Sequence, residues 1–462
     1  MKNVLTKTTT IFQSVNPFDQ SVVGEYACLT DAQLQRKLDT SASAYRHWRK
    51  TTFSHRAELM HRLADILTRD NELFARLITA EMGKIISESR SEVAKSATHT
   101  TYFADHTEGL LRDQIIATEA HQSLVTFDPI GCILAIMPWN FPFWQVFRYA
   151  APTIMAGNVT ILKHAPNVFG CAEAIEKAFL EAGFPEGVFQ SVVIDTPSVK
   201  RLISADIVQG VTLTGSEYAG SQVAALAGKH IKKTVLELGG SDAFIVLADA
   251  DIEKAAQVAT QSRMLNAGQT CNCAKRFIVV DAVRDMFLAK FQENIQNLRQ
   301  GDPFDERNQM GTLARLDLVE KLENQVNSSI RDGANLVFGN ETDNCFFMPT
   351  LLTDVKVGMK AFDEELFGPV AAVISAKNEA EAIFLANNHR YGLDASIWTS
   401  DLERAYRMAR DLEVGNVFVN SIARSDSRLP FGGVKKSGYG RELSEVGLKE
   451  WVNWKTIVLE DV

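Results

Sequence analysis

The chain has 462 residues, 46% of them hydrophobic and 23% charged, with a formal net charge of -9. That length exceeds what one small core can organise, so two or more domains are expected, and the composition excludes disordered, collagen-like and coiled-coil chains. An acidic balance with no dense Lys/Arg block excludes nucleic acid and anionic membrane surfaces as partners.

Residues 1–14 mix Lys and Thr without the apolar core of a signal peptide. Residues 30–110 are expected to be helical and to cover a sheet, because Leu59, Leu63, Ile66, Leu67 and Phe74 recur at helical spacings. The texture changes near 120. Ser123–Phe127 is β-branched and aromatic, and the apolar run that starts at Ile130 is of buried-strand type, ends at Pro138 and is too short to span a bilayer. Strands and helices then alternate: strands at 159–163, 191–194, 207–214 and 234–238, helices at 169–182 and 199–204 and one opened by Gly215-Ser216 through Gly220 that runs to about 227. A second such series has strands at 244–247, 277–280, 336–338, 370–374, 395–398 and 416–420, with helices at 252–265, 283–299, 315–330, 379–388 and 402–412. This alternation predicts right-handed βαβ units, hence an α/β fold with parallel sheets. The tail ends in a strand-like 456–459 with no obvious neighbour in either unit and is expected to make an oligomer contact. The six cysteines, at 28, 132, 171, 271, 273 and 345, are scattered in the manner of reduced thiols, which predicts a cytoplasmic protein. No Cys/His spacing indicates a zinc site, so no metal is expected.

Several residues could carry chemistry. Cys271 follows Gly268-Gln-Thr270, an unlikely way to fill a core and one that would expose the thiol at a turn, although a lone cysteine is ordinarily a buried structural thiol. Glu237 opens Glu-Leu-Gly-Gly240 at a strand end, where open α/β sheets place ligands. It could be a general base or simply a salt-bridged carboxylate. Asn140, in Pro138-Trp-Asn-Phe-Pro142, could donate to an oxyanion or stabilise a turn. Gly215-Ser216 through Gly220, at a strand-to-helix junction, could cradle phosphate on helix N-terminal amides. Lys163 and Glu365 could each be ordinary surface charges.

Taken together, Pro-Trp-Asn-Phe-Pro, Thr214-Gly-Ser216, Glu-Leu-Gly-Gly, Gly-Gln-Thr-Cys, Glu364-Glu-Leu-Phe-Gly-Pro369 and Pro430-Phe-Gly-Gly-Val-Lys-Lys-Ser-Gly438, in this order, resemble the aldehyde dehydrogenase superfamily, most closely bacterial succinate-semialdehyde dehydrogenases. The resemblance covers almost the whole chain. It implies an aldehyde dehydrogenase-like fold with a Rossmann-like cofactor domain (1–110 and 130–238), a second α/β catalytic domain (239–440) and a small β oligomerisation element (111–129 and 441–462) in a homodimer or homotetramer. The tail would then extend a sheet of the neighbouring subunit.

The resemblance also implies roles. Cys271 attacks the aldehyde, Asn140 and the Cys271 N–H hold the oxyanion, and Glu237 activates water against the thioester. The cofactor would lie along Met137, Pro138, Trp139 and Leu238, with Lys163, Ala165 and Pro166 at the adenosine ribose, Gly215 and Ser216 at the pyrophosphate, and Glu365 and Phe367 at the nicotinamide ribose. Many NAD-preferring relatives have a glutamate where this chain has Pro166, so dual NAD or NADP use is expected, with NAD favoured because the motif holds no arginine for a 2′-phosphate. Arg148, eight residues after Asn140, matches an arginine that binds the substrate's distal carboxylate and is expected at the mouth of the tunnel. The second arginine of some relatives is Leu265 here, while Arg263 is expected to point elsewhere. The loop Arg424-Ser425-Asp-Ser427-Arg428, with Phe431 beyond it, is expected to supply replacement donors. Glutarate semialdehyde, uncharged aldehydes, a CoA-acylating reaction and a non-catalytic member of the fold are the alternatives. Cys273 raises the further idea of a reversible link to Cys271, against the plainer one of a small buried thiol.

Overall fold

The computed structural model describes residues 10–461. Its first sheet is built from fully buried apolar runs, the pattern of parallel strands covered on both faces. Five parallel strands lie in the spatial order Phe189–Ser191, Val159–Lys163, Cys132–Ile136, Val208–Thr214, Lys233–Glu237. Gly438–Tyr439 adds an antiparallel strand beside Lys233–Glu237. The chain winds outward from Cys132–Ile136 on one side, then crosses to the other, so a crevice opens where the ends of Cys132–Ile136 and Val208–Thr214 diverge.

The helical pattern of residues 59–74 is two helices, Phe53–Arg69 and Asn71–Met82, meeting at Asp70. With Ile86–Leu110 and Trp144–Met155 they share one apolar core with the sheet, in which Leu63, Leu67 and Phe74 meet Leu134, Ile161 and Val211. The strand expected at 191–194 begins two residues earlier, at Phe189. Phe189 stacks on Phe179 at 4.3 Å, and Gln190 is drawn inside because its amide donates to Lys37 O and Ser41 Oγ.

The second sheet runs Asn335–Phe338, Thr350–Thr353, Val370–Ala376, Ala274–Val280, Asp242–Val246, Asp394–Trp398, Asn416–Val419, parallel except at its first pair. Thr350–Thr353, absent from the sequence reading, is only four residues long and follows a proline, too little for a periodic signal. The third sheet is antiparallel. Val452–Leu459 pairs along its length with Gln122–Pro129, which also pairs with Gln114–Ile116. The tail strand therefore has a neighbour within its own chain, and its other edge carries no strand among the described residues. No helix among the described residues is long and apolar enough to cross a membrane.

Asn158 ties the third sheet to the first. Fully buried, it accepts from Ile130 N (2.8 Å) and Gly131 N (3.0 Å) and donates to Trp451 O (2.8 Å). Replacement by Ala strands three backbone groups away from water. Asn158→Ala is expected to cost about 2–4 kcal/mol, read as a lowered urea midpoint with an unchanged slope.

Candidate active site

Helix Ile252–Met264 ends in an unusual reversal in which Asn266 (φ 54°), Ala267 (φ 50°) and Gly268 (φ 74°) are all left-handed. For the two non-glycine residues this conformation costs about 1–2 kcal/mol each. Buried polar contacts hold it. Glu88 accepts from Asn266 N (3.0 and 3.2 Å), the Asn266 amide donates to Asn140 O (2.9 Å) and Gln269 O (3.2 Å), and Arg263 donates to Gly268 O (2.5 Å) and Ala274 O (3.2 Å). Gln269 donates to Asn266 O (3.1 Å) and Thr312 O (3.3 Å) and accepts from Ala314 N (2.8 Å). The expectation that Gly-Gln-Thr forms an exposed turn is therefore corrected: Gln269 and Thr270 are buried, because a non-repetitive loop leaves backbone groups that only polar side chains can satisfy.

Two glycines bring the motifs together. A Cβ at Gly268 would sit 2.3 Å from Gly368 O, and one at Gly240 2.9 Å from Cys271 O. Hence Gly-Gln-Thr-Cys packs backbone to backbone against both Glu-Leu-Phe-Gly-Pro and Glu-Leu-Gly-Gly.

Cys271 is half-buried and packs against a cluster of Trp144, Leu393, Phe431 and Leu443, with Phe141 beside it. Burial pushes its thiol up to about 12, and the positive charges of Arg148 and Lys275 pull it down less strongly. Lys275 donates to Thr270 O (2.9 Å) and Cys271 O (2.7 Å) and lies 3.4 Å from the Glu365 carboxylate. The Asn140 amide donates to Gln269 O (3.0 Å), which leaves it a second N–H, and its Oδ1 is buried without a protein partner. Glu237, 2% exposed at its strand end, has an Oε1 without a hydrogen bond, and burial holds its carboxyl well above the usual range against the opposing charge of Arg148. Cys273 is buried, its thiol 2.9 Å from Thr270 O.

A cleft of about 780 Å³, partly open to solvent, leads away from Cys271 between Pro138, Trp139, Asn140, Gly215, Ser216, Leu238, Glu365 and Phe367. Trp139 and Phe367 meet edge to face at 5.7 Å. Ser216 caps helix Glu217–Lys229 by accepting from Ala219 N, so that the helix N-terminus faces the crevice. Glu365 accepts from Gly240 N (3.1 Å). Lys321 and Gln325, from helix Leu316–Arg331, also line the cleft and carried no sequence signal beyond an ordinary amphipathic helix.

Met137, Lys163, Ala165 and Pro166 sit at neighbouring strand ends, stitched by His164, which the sequence reading missed. His164 Nε2 donates to Pro142 O (2.9 Å) while Nδ1 accepts from Ala165 N (3.0 Å), and burial lowers its pKa to about 4, keeping the imidazole neutral. Burial also lowers the pKa of Lys163, and among the described residues no carboxylate pairs with it.

Arg148 departs from expectation. It is 2% exposed, its Nε pairs with the Glu442 carboxylate, its Nη2 donates to Thr214 Oγ1 (3.2 Å), and its guanidinium lies 5.1 Å from the Phe431 ring centre. It lies beneath the site with an acid of its own and not at a mouth. The pattern behind this is simple: helix Trp144–Met155 is buried on all sides, so its one arginine is buried too and takes a partner that sequence spacing could not reveal. Within the loop 424–428, Arg424 is exposed and Arg428 is held by Asp426 (2.7 and 2.8 Å). Ser425 and Ser427 are met by Lys95 and His99, neither of which stood out in the sequence.

The family model described as the aldehyde dehydrogenase family matches residues 4–457. The chain is 44% identical to a probable succinate-semialdehyde dehydrogenase (NADP+) of Synechocystis, over 96% of this chain and 98% of that one. It is also 44% identical to a succinate semialdehyde dehydrogenase (NAD(P)+) of Escherichia coli, over 96% and 97%. Among solved structures, the succinic semialdehyde dehydrogenase of Streptococcus pyogenes in complex with NADP+ superposes with a TM-score of 0.96 at 37% identity, covering 97% of this chain and 100% of that one. A reversal that delivers a thiol to a cleft at the switch point of a doubly wound sheet, together with these matches along the whole chain, shows that the protein belongs to the aldehyde dehydrogenase family.

Proposed function

We propose that the protein oxidises succinate semialdehyde, or a similar short carboxylated aldehyde, to the acid with NADP+ or NAD+. The observation that supports it best is the placement of Cys271 and Asn140 on one cleft, with the buried, unpartnered Glu237 carboxylate at the strand end beside it. The names of the relatives above support the substrate and the cofactor.

In this reading the Cys271 thiolate adds to the aldehyde carbon, and the free Asn140 N–H and the Cys271 backbone N–H hold the resulting oxyanion. When bound, the nicotinamide supplies the acceptor for the hydride that leaves this carbon, so a thioester remains on Cys271. Glu237 takes a proton from water, the hydroxide adds to the thioester, and the thiolate leaves as the acid is released. Fit to a dinucleotide is supported by the Ser216-capped helix N-terminus, the Glu365 carboxylate and the uncompensated Lys163. A lysine without an acid beside it favours an extra phosphate, so the lean towards NAD is replaced by NADP+ used at least as well.

We assign the cofactor domain to residues 1–110 and 130–238, the catalytic domain to 239–440 and the oligomerisation element to 111–129 and 441–462. Ile115, Trp454 and Val458 on the small sheet are exposed apolar side chains that favour a homodimer or homotetramer. Six free cysteines favour the cytoplasm.

Both titrations run the same way. Burial raises the pKa of both the Cys271 thiol and the Glu237 carboxyl, and each gains its reactive form as pH rises, so alkylation of Cys271 by iodoacetamide in the cofactor-free protein should accelerate about tenfold per pH unit between pH 7 and 9. A rate that is flat across that range counts against a desolvated thiol. Cys271→Ser is expected to abolish oxidation. Glu237→Gln is expected to release a single equivalent of reduced cofactor and then stall, and steady turnover by this variant would remove Glu237 from the hydrolytic step. Pro166→Glu should lower kcat/KM for NADP+ at least about tenfold and leave NAD+ within a few-fold, as measured by steady-state reduction of each cofactor, since a carboxylate beside Lys163 repels a 2′-phosphate.

A further inference from the structure

Two acids one turn apart on a single helix hold both halves of the site. Helix Ile86–Leu110 carries Glu88 and Glu92, and residues four apart share a helix face, about 6 Å from each other along the axis. Glu88 accepts from Asn266 N (3.0 and 3.2 Å), at the start of the left-handed turn that delivers Cys271. Glu92 Oε1 accepts from Phe143 N (2.8 Å) and Trp144 N (3.0 Å), where the chain passes from Asn140 into helix Trp144–Met155.

No local residue performs this second task. Phe143 occupies the N-cap position of that helix and has no side-chain acceptor, so the first amides depend on a carboxylate 51 positions away in the chain. The helix dipole favours an anion there.

The segment from Asn140 to Trp144 is held from several sides. The Asn266 amide donates to Asn140 O (2.9 Å), His164 Nε2 donates to Pro142 O (2.9 Å), and the Lys84 ammonium lies 3.7 Å from the centre of the Phe141 ring. Lys84 also pairs with Glu92 Oε2, and both side chains are buried. The contacts close a circuit: Glu88 to Asn266, Asn266 to Asn140, along the chain to Phe143, and back to Glu92. The pitch of one helical turn thereby sets how far the thiol's turn stands from the Asn140 amide. Lys84 is the counter-charge for both acids. Desolvation raises the pKa of half-buried Glu88 to about 7, with the Asn266 N–H and Lys84 opposing and Glu92 acting in the same sense.

We propose that Glu88 and Glu92 are positioning residues for the reaction, and that helix Ile86–Leu110 is the fixed spacer between Cys271 and the oxyanion donor Asn140. The proposal rests on the Cys271 reaction given above and adds two residues that act only through others.

Charge and hydrogen bonding can be separated. Lys84→Met/Glu92→Gln and Lys84→Met/Glu92→Leu remove the same two charges and differ in the acceptor they offer to Phe143 N and Trp144 N. In a single turnover on succinate semialdehyde with saturating NADP+, read as absorbance of the reduced cofactor, the Glu92→Leu form is expected to transfer hydride about 10- to 100-fold more slowly than the Glu92→Gln form. Glu88→Ala should show a loss of the same order, recovered for the most part by Glu88→Gln, whose amide oxygen still accepts from Asn266 N. Glu88 is half-buried, so this second pair gives the answer even where the double variants do not fold. Steady-state KM for the aldehyde should stay within about threefold throughout. In an Asn140→Ala background both losses should shrink to within about threefold, because the spacing serves a donor that is already gone. A general loss of stability would not do this. If the wild type reduces no cofactor, or Cys271→Ser still does, the reaction assigned above is wrong and the proposal falls with it. If the wild type reacts through Cys271 but the Gln forms are no faster than their Leu and Ala counterparts, or the losses stay as deep without Asn140, the proposal alone is overturned.

Discussion

The site depends on a backbone conformation that its residues would not choose for themselves. Three successive left-handed residues, only one of them glycine, turn the chain out of helix Ile252–Met264 and present Cys271 to the cleft. They persist because buried side chains from distant parts of the chain satisfy the backbone groups this turn leaves open: Glu88 from the N-terminal helices, Arg263 from the helix itself, and Gln269 reaching Thr312 and Ala314. The same contacts fix Asn140, since Asn140 and Asn266 share the carbonyl of Gln269 as acceptor. Cys271 and the Asn140 amide are therefore positioned by one network, and a change that relaxes the turn displaces both at once.

Burial also sets the resting chemistry. The Cys271 thiol and the Glu237 carboxyl are both desolvated, and the charges that oppose this, Arg148 for both and Lys275 for the thiol, are anchored on other partners. Lys275 is tied to the loop carbonyls and Glu365, while Arg148 is tied to Glu442. Held by these partners, the two charges are outweighed by burial, so both groups keep raised pKa values in the free protein. Ionisation is then left to whatever charge the bound ligands bring.

Much of this was legible in the sequence because it depends on local pattern. Parallel strands buried on both faces appear as apolar runs, strand ends appear as Pro138, Gly215 and Gly239, and the order of the motifs pointed to the family before any distance was known. What could not be read comes from contacts between residues far apart in the chain. His164, Glu88 and Glu442 each serve a backbone group or a charge supplied by another element, and nothing within ten residues of them signals it. Gln269 and Thr270 misled for the same reason: polar residues in a row usually mean solvent, unless the backbone around them is itself unsatisfied. The short strand Thr350–Thr353 owes its place in the sheet to its neighbours on both sides and not to any period of its own.

Arg148 shows the limit of matching residue types. An arginine on this helix was expected at the mouth of a tunnel, yet its guanidinium is 2% exposed, with Nε paired to Glu442 and Nη2 donating to Thr214 Oγ1. Removing either partner of such a buried pair costs about 3–5 kcal/mol, because the other is left as an uncompensated buried charge. The pairing with Glu442 fixes where Arg148 sits, and from there its positive charge favours the ionised forms of both Cys271 and Glu237.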